Sequence, residues 1–523
     1  WECIPTGQPN AGKFIFTMKV YRECYTSNGS AAAQFGTSNT ILSNSPAGNF
    51  SVSEISGWPK DISPVCNSNP LFSHITCTGM ATGAGNMGAV QEHIYRSAPI
   101  TINGIPPASG WTFSWSSSAR NPSTNVVGQP GWYLRAKMFP YQNTNTYPCF
   151  DNSPTFAEVP RTVICTGYPF TYNHNGYDKE LDALTFEWGL PMITATNPVT
   201  YTMGYSYTNP LPGPTQNANN VAAVVNANTG TISFTSYTTG AYVTSTKVSA
   251  YRCGVKVAEI WRDMQVVLLA CGTNGPPTVI PPFAGNTSYS TTVYAGELVT
   301  FSLDAEDFQY LPNSMPQTLT LTASGSQLGS FVPPGPSTLA TLSTTNGCLN
   351  APCATLTPAP GPGYPLSAMF GVSTGFSWQT MCSHLAGIQG CGATSNVYTF
   401  VLKVTDDYCP APAIAISVID ITVLPKPTIP SPNIQCLKVL PSGDVQIDWS
   451  AVTDTMSTFD SYRVFTSNSA AGPFIEIDSI FNINAMTYTH VGANANNNAV
   501  YYTLVCKSGC PGLQSNAPAD TFS

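Results

Sequence analysis

The segment Phe14-Ile15-Phe16-Thr17-Met18-Lys19-Val20-Tyr21 decides the fold class, because large apolar side chains recur at every second position. In an extended strand, this period places the even-numbered residues on one face and the odd-numbered residues on the other. The same period recurs at residues 111–116, 132–138, 184–188, 232–234, 299–303, 319–323, 398–404 and 445–449. Asn, Gly, Pro and Ser fill the gaps between these segments, and long stretches of helical period are missing. The pattern predicts an all-β chain built from tandem β-sandwiches.

The composition excludes several classes of partner. Only 9% of the 523 residues are charged, and the net charge is −8. Nucleic-acid binding needs clustered cations, and no Lys/Arg-rich run is present that could dock on nucleic acid or on an anionic membrane surface. The longest apolar run, residues 264–271, is far shorter than the ~20 residues that a membrane-spanning helix needs. We therefore expect no nucleic-acid partner and no transmembrane segment.

The sixteen cysteines indicate an oxidising compartment, because disulfides persist outside the reducing cytosol. The alternative is zinc, but no pair of CxxC motifs is present, and Cys506 and Cys510 lack nearby histidines. The chain opens on Trp1 without a charged segment followed by an apolar one, as expected of a mature exported chain. The sequence predicts a secreted protein or one on the extracellular cell surface.

Proline positions divide the chain into four predicted domains. The pairs at 276–277 and 281–282 mark one boundary, the alternate prolines from 425 to 432 mark a second, and residues 158–160 mark a softer one. The predicted domains are 1–160, 161–275, 276–427 and 428–523, arranged in an elongated chain. The Pro/Gly-rich segment 358–363 is interpreted as a long internal insertion in the third domain.

Local pairing is the simplest disulfide hypothesis, since each such bond closes a short loop. The predicted bonds are Cys3–Cys24, Cys66–Cys77, Cys149–Cys165, Cys253–Cys271, Cys348–Cys353, Cys382–Cys391 and Cys436–Cys510. Cys409 and Cys506 are predicted to be free or joined to another molecule. A strand of about ten residues follows Cys409 and carries the chain ~33 Å onward, whereas a disulfide tolerates Cα separations of only ~4.4–6.8 Å.

Two acidic clusters are candidate calcium sites. One consists of Asp178, Glu180 and Asp182, and the other consists of Asp304, Glu306 and Asp307. Calcium takes six to eight oxygen ligands, and clustered carboxylates at a domain edge supply them. The alternative is a solvated polar turn. The cofactor prediction is therefore none required, with structural calcium as the candidate, because such an ion would stiffen a joint without doing chemistry.

Catalytic motifs are missing from the sequence. The five histidines are not spaced four apart, and neither HExxH nor Gly-x-Ser-x-Gly occurs. Triads and carboxylate pairs can be assembled from distant residues, so a secreted carbohydrate-active enzyme stays an alternative. Exposed aromatic rings could stack on sugars, although most tryptophans lie on alternating strands, where core packing is their usual role. We predict a protein that is not an enzyme, with glycan binding as the second hypothesis.

Several motifs carry a resemblance to known families. The second and third predicted domains look like divergent copies, each with an acidic cluster before a Leu-Thr strand. The run 178–186, followed by Asn228-Thr229-Gly230-Thr231-Ile232 and Thr239-Gly240-Ala241-Tyr242, resembles cadherin-like, immunoglobulin-like domains of the dystroglycan type. The last domain resembles a fibronectin type III domain, with Trp449 on its second strand, Tyr462-Arg463-Val464 on its third, and Tyr501-Tyr502-Thr503-Leu504 near its end.

A wider resemblance covers nearly the whole chain. The motifs Trp1-Glu2-Cys3-Ile4, Val20-Tyr21-Arg22-Glu23-Cys24, Cys149-Phe150-Asp151-Asn152-Ser153-Pro154 and Tyr172-Asn173-His174-Asn175 are similar to large secreted Bacteroidota surface proteins. Those proteins are associated with gliding motility and type IX secretion, and they usually end in a sorting domain that this sequence does not show. The resemblance implies O-glycosylation of Ser or Thr after Asp, which Thr455 and Ser479 match.

These features together predict a non-catalytic structural or adhesive protein of the extracellular cell surface. The more specific hypothesis is the repeating subunit of a surface filament or sheath. Its partners would be copies of itself, other cell-surface proteins or glycans. Strand donation between copies is a physical route to such an assembly, because sandwich edges leave backbone groups unpaired.

Overall fold

The computed structural model describes residues 1–23, 35–63, 66, 77, 89–118, 120–142, 150–160, 163–272, 274–385, 396–409, 412–510 and 521–522. Across these residues the chain is all-β, with one short 3-10 turn at Cys382–His384. This confirms the predicted fold class. The chain forms two compact units, one of residues 1–291, 299–378 and 398–421, and the other of residues 292–298, 379–397 and 422–523.

The first unit begins with nine strands. They are β1 (Glu2–Cys3), β2 (Phe14–Ile15), β3 (Thr17–Glu23), β4 (Ser38–Ser43), β5 (Phe50–Glu54), β6 (Lys60–Asp61), β7 (Val90–Ser97), β8 (Trp111–Ser117) and β9 (Trp132–Met138). Nine further strands follow: β10 (Thr155–Phe156), β11 (Val163–Cys165), β12 (Pro169–Asn173), β13 (Gly176–Tyr177), β14 (Ala183–Trp188), β15 (Val221–Val225), β16 (Thr231–Thr235), β17 (Gly240–Arg252) and β18 (Val255–Leu269).

One large sheet joins most of these strands, in the order β14-β17-β18-β9-β8-β4-β5-β7-β3, with β11 beside β18 and β6 beside β7. A smaller sheet, β12-β16-β15, and the pairs β1-β2 and β10-β13 complete this part of the unit. The alternation in the decisive segment is realised, since Phe16, Met18 and Val20 are buried in one core cluster with Phe113 and Trp115. The large sheet crosses the boundary expected near residue 160.

Eleven further strands follow along the chain. They are β19 (Thr278–Val279), β20 (Ser290–Tyr294), β21 (Leu298–Glu306), β22 (Thr318–Ser324), β23 (Phe331–Val332), β24 (Thr341–Leu342), β25 (Thr355–Thr357), β26 (Leu366–Met369), β27 (Gly371–Gln379), β28 (Asn396–Thr405) and β29 (Ile414–Leu424). They form a four-stranded sheet, β19-β21-β27-β25, a five-stranded sheet, β20-β29-β28-β22-β26, and the pair β23-β24.

The second unit contains a two-sheet sandwich. Its strands are β30 (Ile434–Val439), β31 (Val445–Trp449), β32 (Phe459–Ser467), β33 (Ile475–Ile480), β34 (Thr487–His490), β35 (Tyr501–Ser508) and β36 (Thr521–Phe522). They form the sheets β30-β31-β34 and β33-β32-β35-β36 around a core that includes Trp449 and Tyr462. Both residues lie on the strands expected of them. The four-domain division as a whole stays a prediction.

Four disulfide bonds lie within the described residues: Cys66–Cys409, Cys165–Cys271, Cys348–Cys353 and Cys382–Cys510. The bond between Cys348 and Cys353 is the local one that the sequence predicts. Cys3, Cys77 and Cys253 are also half-cystines, whose pairing lies outside the described residues, as does the expected pair Cys3–Cys24. Cys436 is an exposed free thiol and Cys506 is a buried one.

The remaining local pairs are wrong, and sheet topology explains why. The pairs that fail are Cys66–Cys77, Cys149–Cys165, Cys253–Cys271, Cys382–Cys391 and Cys436–Cys510, because in each at least one partner is bonded elsewhere. Strand β11 runs parallel to β18 with Cys165 opposite Leu269, which brings Cys271 within bonding range across 106 residues. Cys409 is bonded to Cys66 across 343 residues, so the expectation that it is free or joined to another molecule is also wrong.

Candidate functional site

The first acidic cluster is buried and already has partners inside the protein. Arg252 donates from Nε and Nη2 to the two carboxylate oxygens of Asp182, at 3.0 and 2.7 Å, and from Nη2 to Asp151 at 3.0 Å. Glu180 accepts hydrogen bonds from Asn152. Asp178 accepts the backbone N–H groups of Glu180 and Asp182, which shapes the turn. Asp182 is therefore committed to an ion pair, and Asp178 organises the loop.

Burial shifts the pKa values of the carboxyl groups in this cluster. Burial, and then repulsion from neighbouring carboxylates, raises the pKa of Asp178 well above its ordinary value. The pKa of Asp151 is raised for the same reasons, although Arg252 opposes the shift. Each of these two residues has one buried carboxylate oxygen without a donor among the described residues. Asp151 is a member of the cluster that sequence spacing missed, since it lies 27 positions before Asp178.

In the second acidic cluster, Asp304 and Asp307 have separate hydrogen-bond partners. Asp304 accepts hydrogen bonds from the hydroxyls of Ser302 and Ser373. Asp307 is buried, accepts the backbone N–H of Gln309, and has a pKa raised by burial. Within the part of the chain that the structure describes, no three His, Cys, Asp or Glu side chains are placed to hold a metal ion.

A large cleft lies in the first unit, with a volume of about 600 Å³. Its walls come from strand β3, from β9 and from the middle of β18. Strands β3 and β9 lie five places apart in the order β3-β7-β5-β4-β8-β9, so this part of the sheet curls until the two strands face the same space. Side chains from both faces of β3 line the cleft, since Phe16 to Tyr21 all contribute. The cleft therefore runs along the edge of that strand.

The backbone of β3 has one unpaired side. Strand β3 pairs only with β7, in antiparallel register from Thr17 opposite Arg96 to Glu23 opposite Val90. The backbone N–H of Ser97 donates to the carbonyl of Phe16, so even-numbered residues of β3 face β7. The N–H and C=O groups of Thr17, Lys19 and Tyr21 point the other way. Among the described residues, no backbone group pairs with them.

The cleft is aromatic and positively charged. Trp115, Trp132 and Trp261 lie in its walls, and the buried Nε1 of Trp132 has no acceptor among the described residues. Five cationic side chains also line it: Lys19, Arg120, Arg135, Lys179 and Arg262. Two of these are neutralised, because Arg120 pairs with Asp263 at 2.5 Å and Lys179 pairs with Glu2 at 2.7 Å.

Three cations in the cleft make no direct ion pair among the described residues. Arg135 lies over the ring of Trp261, and Arg262 donates to the carbonyl of Glu158. Lys19 is exposed to the cleft, yet the surrounding protein desolvates its ammonium and lowers its pKa. A side chain that is both accessible and desolvated lies in a concave environment. The cleft thus carries a surplus of positive charge in a chain whose net charge is −8.

A second exposed feature is an aromatic platform made of Phe308, Tyr310 and Phe370. The ring of Phe370 lies 6.1 Å from that of Phe308 in a stacked arrangement and 5.7 Å from that of Tyr310, edge-on. Phe308 and Tyr310 are 67% and 57% exposed. Phe370 has φ of 63°, a left-handed conformation that is uncommon for a bulky residue.

The described histidines have structural partners. Buried His174 accepts or donates to Thr246, and burial together with Arg262 lowers its pKa well below the ordinary value. His93 contacts Glu54 at 2.7 Å, and His490 contacts the hydroxyl of Tyr502 at 2.8 Å. The backbone N–H of Met381 donates to His384. His74 lies outside the described residues.

The two predicted glycosylation positions differ in accessibility. Thr455 is exposed on a loop that the carboxylate of Asp454 organises through the backbone N–H groups of the following residues. Ser479 lies on strand β33, where its hydroxyl donates to Glu476 and accepts from Arg463. Thr455 is the more accessible acceptor of the two.

Comparison with known proteins identifies β-domain proteins. A three-domain fibronectin type III fragment of chicken CNTN1 has 9% identity and a TM-score of 0.16, covering 80% of this chain and 98% of the fragment. Drosophila N-cadherin EC1–4 has 12% identity and a TM-score of 0.17, covering 87% of this chain and 90% of the N-cadherin chain. An I-band fragment of titin has 11% identity and a TM-score of 0.15, covering 69% of this chain and 96% of the titin fragment. No protein-family model and no curated protein matches the chain. Among the described residues, no helix is long and apolar enough to cross a membrane.

Proposed function

We propose that this chain is a non-catalytic structural or adhesive protein of the extracellular cell surface, and that its copies join into a filament or sheath. The observation that carries the proposal is the unpaired edge of β3 beside a cleft. An edge strand with free N–H and C=O groups is a template for strand addition from another chain. A strand added along β3 would extend this sheet into the cleft.

The covalent framework supports the extracellular part of the proposal. Cys66–Cys409 and Cys165–Cys271 close long loops within the first unit, and Cys382–Cys510 closes one within the second. Such bonds form and persist in oxidising compartments and stabilise chains that are exposed to harsh conditions. The resemblance to secreted Bacteroidota surface proteins belongs to the same proposal, as do partners that are copies of the chain or other surface proteins.

The carboxylates of the cleft argue against hydrolytic chemistry. Only Glu2 and Asp263 among the described carboxylates line it. Asp263 is in an ion pair with Arg120, and the hydrogen bond from Lys179 lowers the pKa of Glu2 below its ordinary value. A glycosidase needs one carboxyl group that holds a proton near neutral pH, and the lowered pKa of Glu2 is the opposite of that requirement.

Electron microscopy of the native material under gentle conditions tests the proposal. We expect ordered filaments or sheets with a regular repeat. Only dispersed monomers, at the protein concentrations found on the native surface, would refute the filament.

Glycan binding is the second candidate, and the aromatic platform favours it. Exposed, flat rings are suited to stacking on sugar rings, and Phe308 and Tyr310 are held in place by Phe370 rather than by the core. Binding on a glycan array that is lost in Tyr310→Ala, with the melting temperature unchanged, would support this function. An array without any signal above background would remove it.

Structural calcium and O-glycosylation stay predictions of the proposal. Isothermal titration with calcium tests the two acidic clusters, with Asp178→Asn and Asp304→Asn as matched variants. Intact-mass measurement tests Thr455 and Ser479, since a mass equal to that of the bare polypeptide excludes both sugars.

A further inference from the structure

We infer that the cleft beside β3 binds strand β33 of a second copy of this chain. The inference rests on the proposed function and deepens it, because it names the two surfaces that meet. Three observations carry it: the direction of the unpaired backbone groups of β3, the charge of the cleft, and the composition and exposure of β33.

The backbone geometry specifies an extended partner. Thr17, Lys19 and Tyr21 each direct a backbone donor and acceptor into the cleft, at every second position of the strand. Three such positions span ~13 Å at ~3.3 Å per residue, which is the length over which an added strand would make its ladder. Side chains from both faces of β3 line the cleft, so alternate side chains of an added strand would meet Phe16 and Met18 on one side and Tyr21 on the other.

The charge of the cleft specifies an acidic partner. The cations of Lys19, Arg135 and Arg262 make no direct ion pair among the described residues, although Glu92 interacts with Lys19, and Asp263 with Arg135, at longer range. Complementary charge steers association and rejects partners of the wrong sign. A strand with carboxylates between apolar residues fits these walls, whereas a basic strand would be repelled.

Strand β33 has this chemistry on a sheet edge of the second unit. It is the end strand of the sheet β33-β32-β35-β36, so its outer side is unpaired among the described residues. Its sequence, Ile-Glu-Ile-Asp-Ser-Ile, is followed by Phe481. Ile475 and Phe481 are 67% and 70% exposed, an unusual position for large apolar residues on an edge strand. Strand β33 carries two carboxylates, of which Glu476 is in an ion pair with Arg463 at 2.8 Å, so Asp478 is its carboxylate without an ion pair among the described residues.

A contact between β3 of one copy and β33 of the next is heterologous. It joins the first unit of one molecule to the second unit of another, so each added copy presents a new free site. Contacts of this kind build open-ended assemblies unless the rotation closes a ring. The pairing therefore accounts for a filament without a further interface.

Peptide binding tests the cleft directly. The probe is the synthetic peptide Phe-Ile-Glu-Ile-Asp-Ser-Ile-Phe, residues 474–481, labelled with fluorescein and titrated with the full chain. Lys19→Pro removes an outward N–H and leaves the even-numbered ladder to β7, since edge strands tolerate proline at such positions. We expect binding at least about tenfold weaker in Lys19→Pro. Lys19→Ala keeps the backbone N–H and removes the charge, so its affinity for the peptide should lie between those of the wild type and Lys19→Pro.

Assembly of paired variants tests the second copy. The double variant Ile475→Lys/Phe481→Lys alters only exposed side chains of β33, so its fold should persist. We expect neither this variant nor Lys19→Pro to form filaments alone. An equimolar mixture retains one open β3 and one open β33, so it should form dimers and stop there. Circular dichroism and melting curves confirm that each variant is folded.

The outcomes separate this inference from the proposed function. Filaments that persist in both variants overturn the β3–β33 pairing and leave the filament proposal intact. Monomers under all conditions, together with peptide binding that Lys19→Pro abolishes, overturn the filament and support the pairing of the two edges. Equal peptide binding by the wild type and Lys19→Pro overturns the pairing.

Discussion

Asp406 should make the stability of the first unit depend on pH. The side chain is buried, and burial raises its pKa from 3.8 to about 7, although three hydrogen bonds oppose the shift. One carboxylate oxygen accepts the backbone N–H groups of Tyr408 and Ala413, and the other accepts from Asn274 at 2.7 Å. The oxygen of Asn274 accepts from Gln317, whose own oxygen is buried without a donor among the described residues.

The sign of the effect follows from the raised pKa. The folded state holds the proton more tightly than the unfolded chain, so this contribution is fully present below pH ~4 and is lost as the pH rises through ~7. A difference of about 3 pKa units corresponds to about 4 kcal/mol at 1.36 kcal/mol per unit. Stability from this group should therefore fall by up to about 4 kcal/mol between pH 4 and pH 8.

Asp406→Asn should remove this dependence and keep the hydrogen-bond chain. In the variant, the side-chain amides of Asn274 and Gln317 would both rotate by half a turn. The amide nitrogen of the new side chain would then donate to the oxygen of Asn274. The nitrogen of Asn274 would donate to the oxygen of Gln317, which has no donor among the described residues of the wild type. The variant should match the wild type near pH 4 and exceed its stability by up to about 4 kcal/mol at pH 8.

Urea denaturation at constant ionic strength, in steps from pH 4 to pH 8, measures both profiles. Glu187→Gln is the matched control, because it removes one negative charge from an exposed ion pair with Lys247, where the expected effect is below about 1 kcal/mol. The difference between the wild type and Asp406→Asn isolates this group from other buried carboxylates. Parallel pH profiles for the two proteins, or a variant that is less stable at pH 8, would refute the reasoning.

Three further predictions concern buried groups and disulfides. Arg252→Met leaves two buried carboxylates without their cation and should cost about 3–5 kcal/mol of unfolding free energy, measured in urea; a loss below 1 kcal/mol would contradict the buried ion pair. Peptide mapping without reduction should yield a Cys66–Cys409 peptide, and removing both cysteines should cost ~5 kcal/mol because the bond closes a long loop. Maleimide should label exposed Cys436 within minutes and leave Cys506 unlabelled, because burial raises the pKa of that thiol to about 11; equal labelling of the two in folded protein would contradict its burial.

The sequence predicts strands well and strand partners poorly. The period-two segments around Phe16, Phe113 and Val445 are all strands, because alternation reports which face of a strand is buried. It does not report which strand lies alongside. The parallel pairing of β11 with β18 joins residues about 104 positions apart and fixes Cys165 beside Cys271, whereas loop length alone favours nearby partners.

The candidate site was hidden for the same physical reason. The sequence shows β3 as a strand, but only the sheet order shows that one of its sides is unpaired. Arg135 and Arg262 are isolated in the sequence and meet in the cleft because β9 and β18 lie side by side at Ala136–Met138. A sequence signal did exist in Lys19, a charge between the apolar residues Met18 and Val20 of this strand.

The regularity of β3 argues that its open edge is functional. Proteins usually protect sheet edges with bulges, short strands or charges. Strands β15 and β33 are edge strands with exposed apolar residues, and each has an irregular ladder: β15 between Val221 and Val224, and β33 opposite Val464 and Phe465 of β32. Strand β3 is seven residues long, and its register with β7 is unbroken from Thr17 to Glu23. Its charged residues are Lys19, Arg22 and Glu23, and of these only Lys19 lines the cleft, where it repels basic strands and attracts acidic ones. An edge that is regular, set in a cleft and guarded by one sign of charge is selective for an acidic strand.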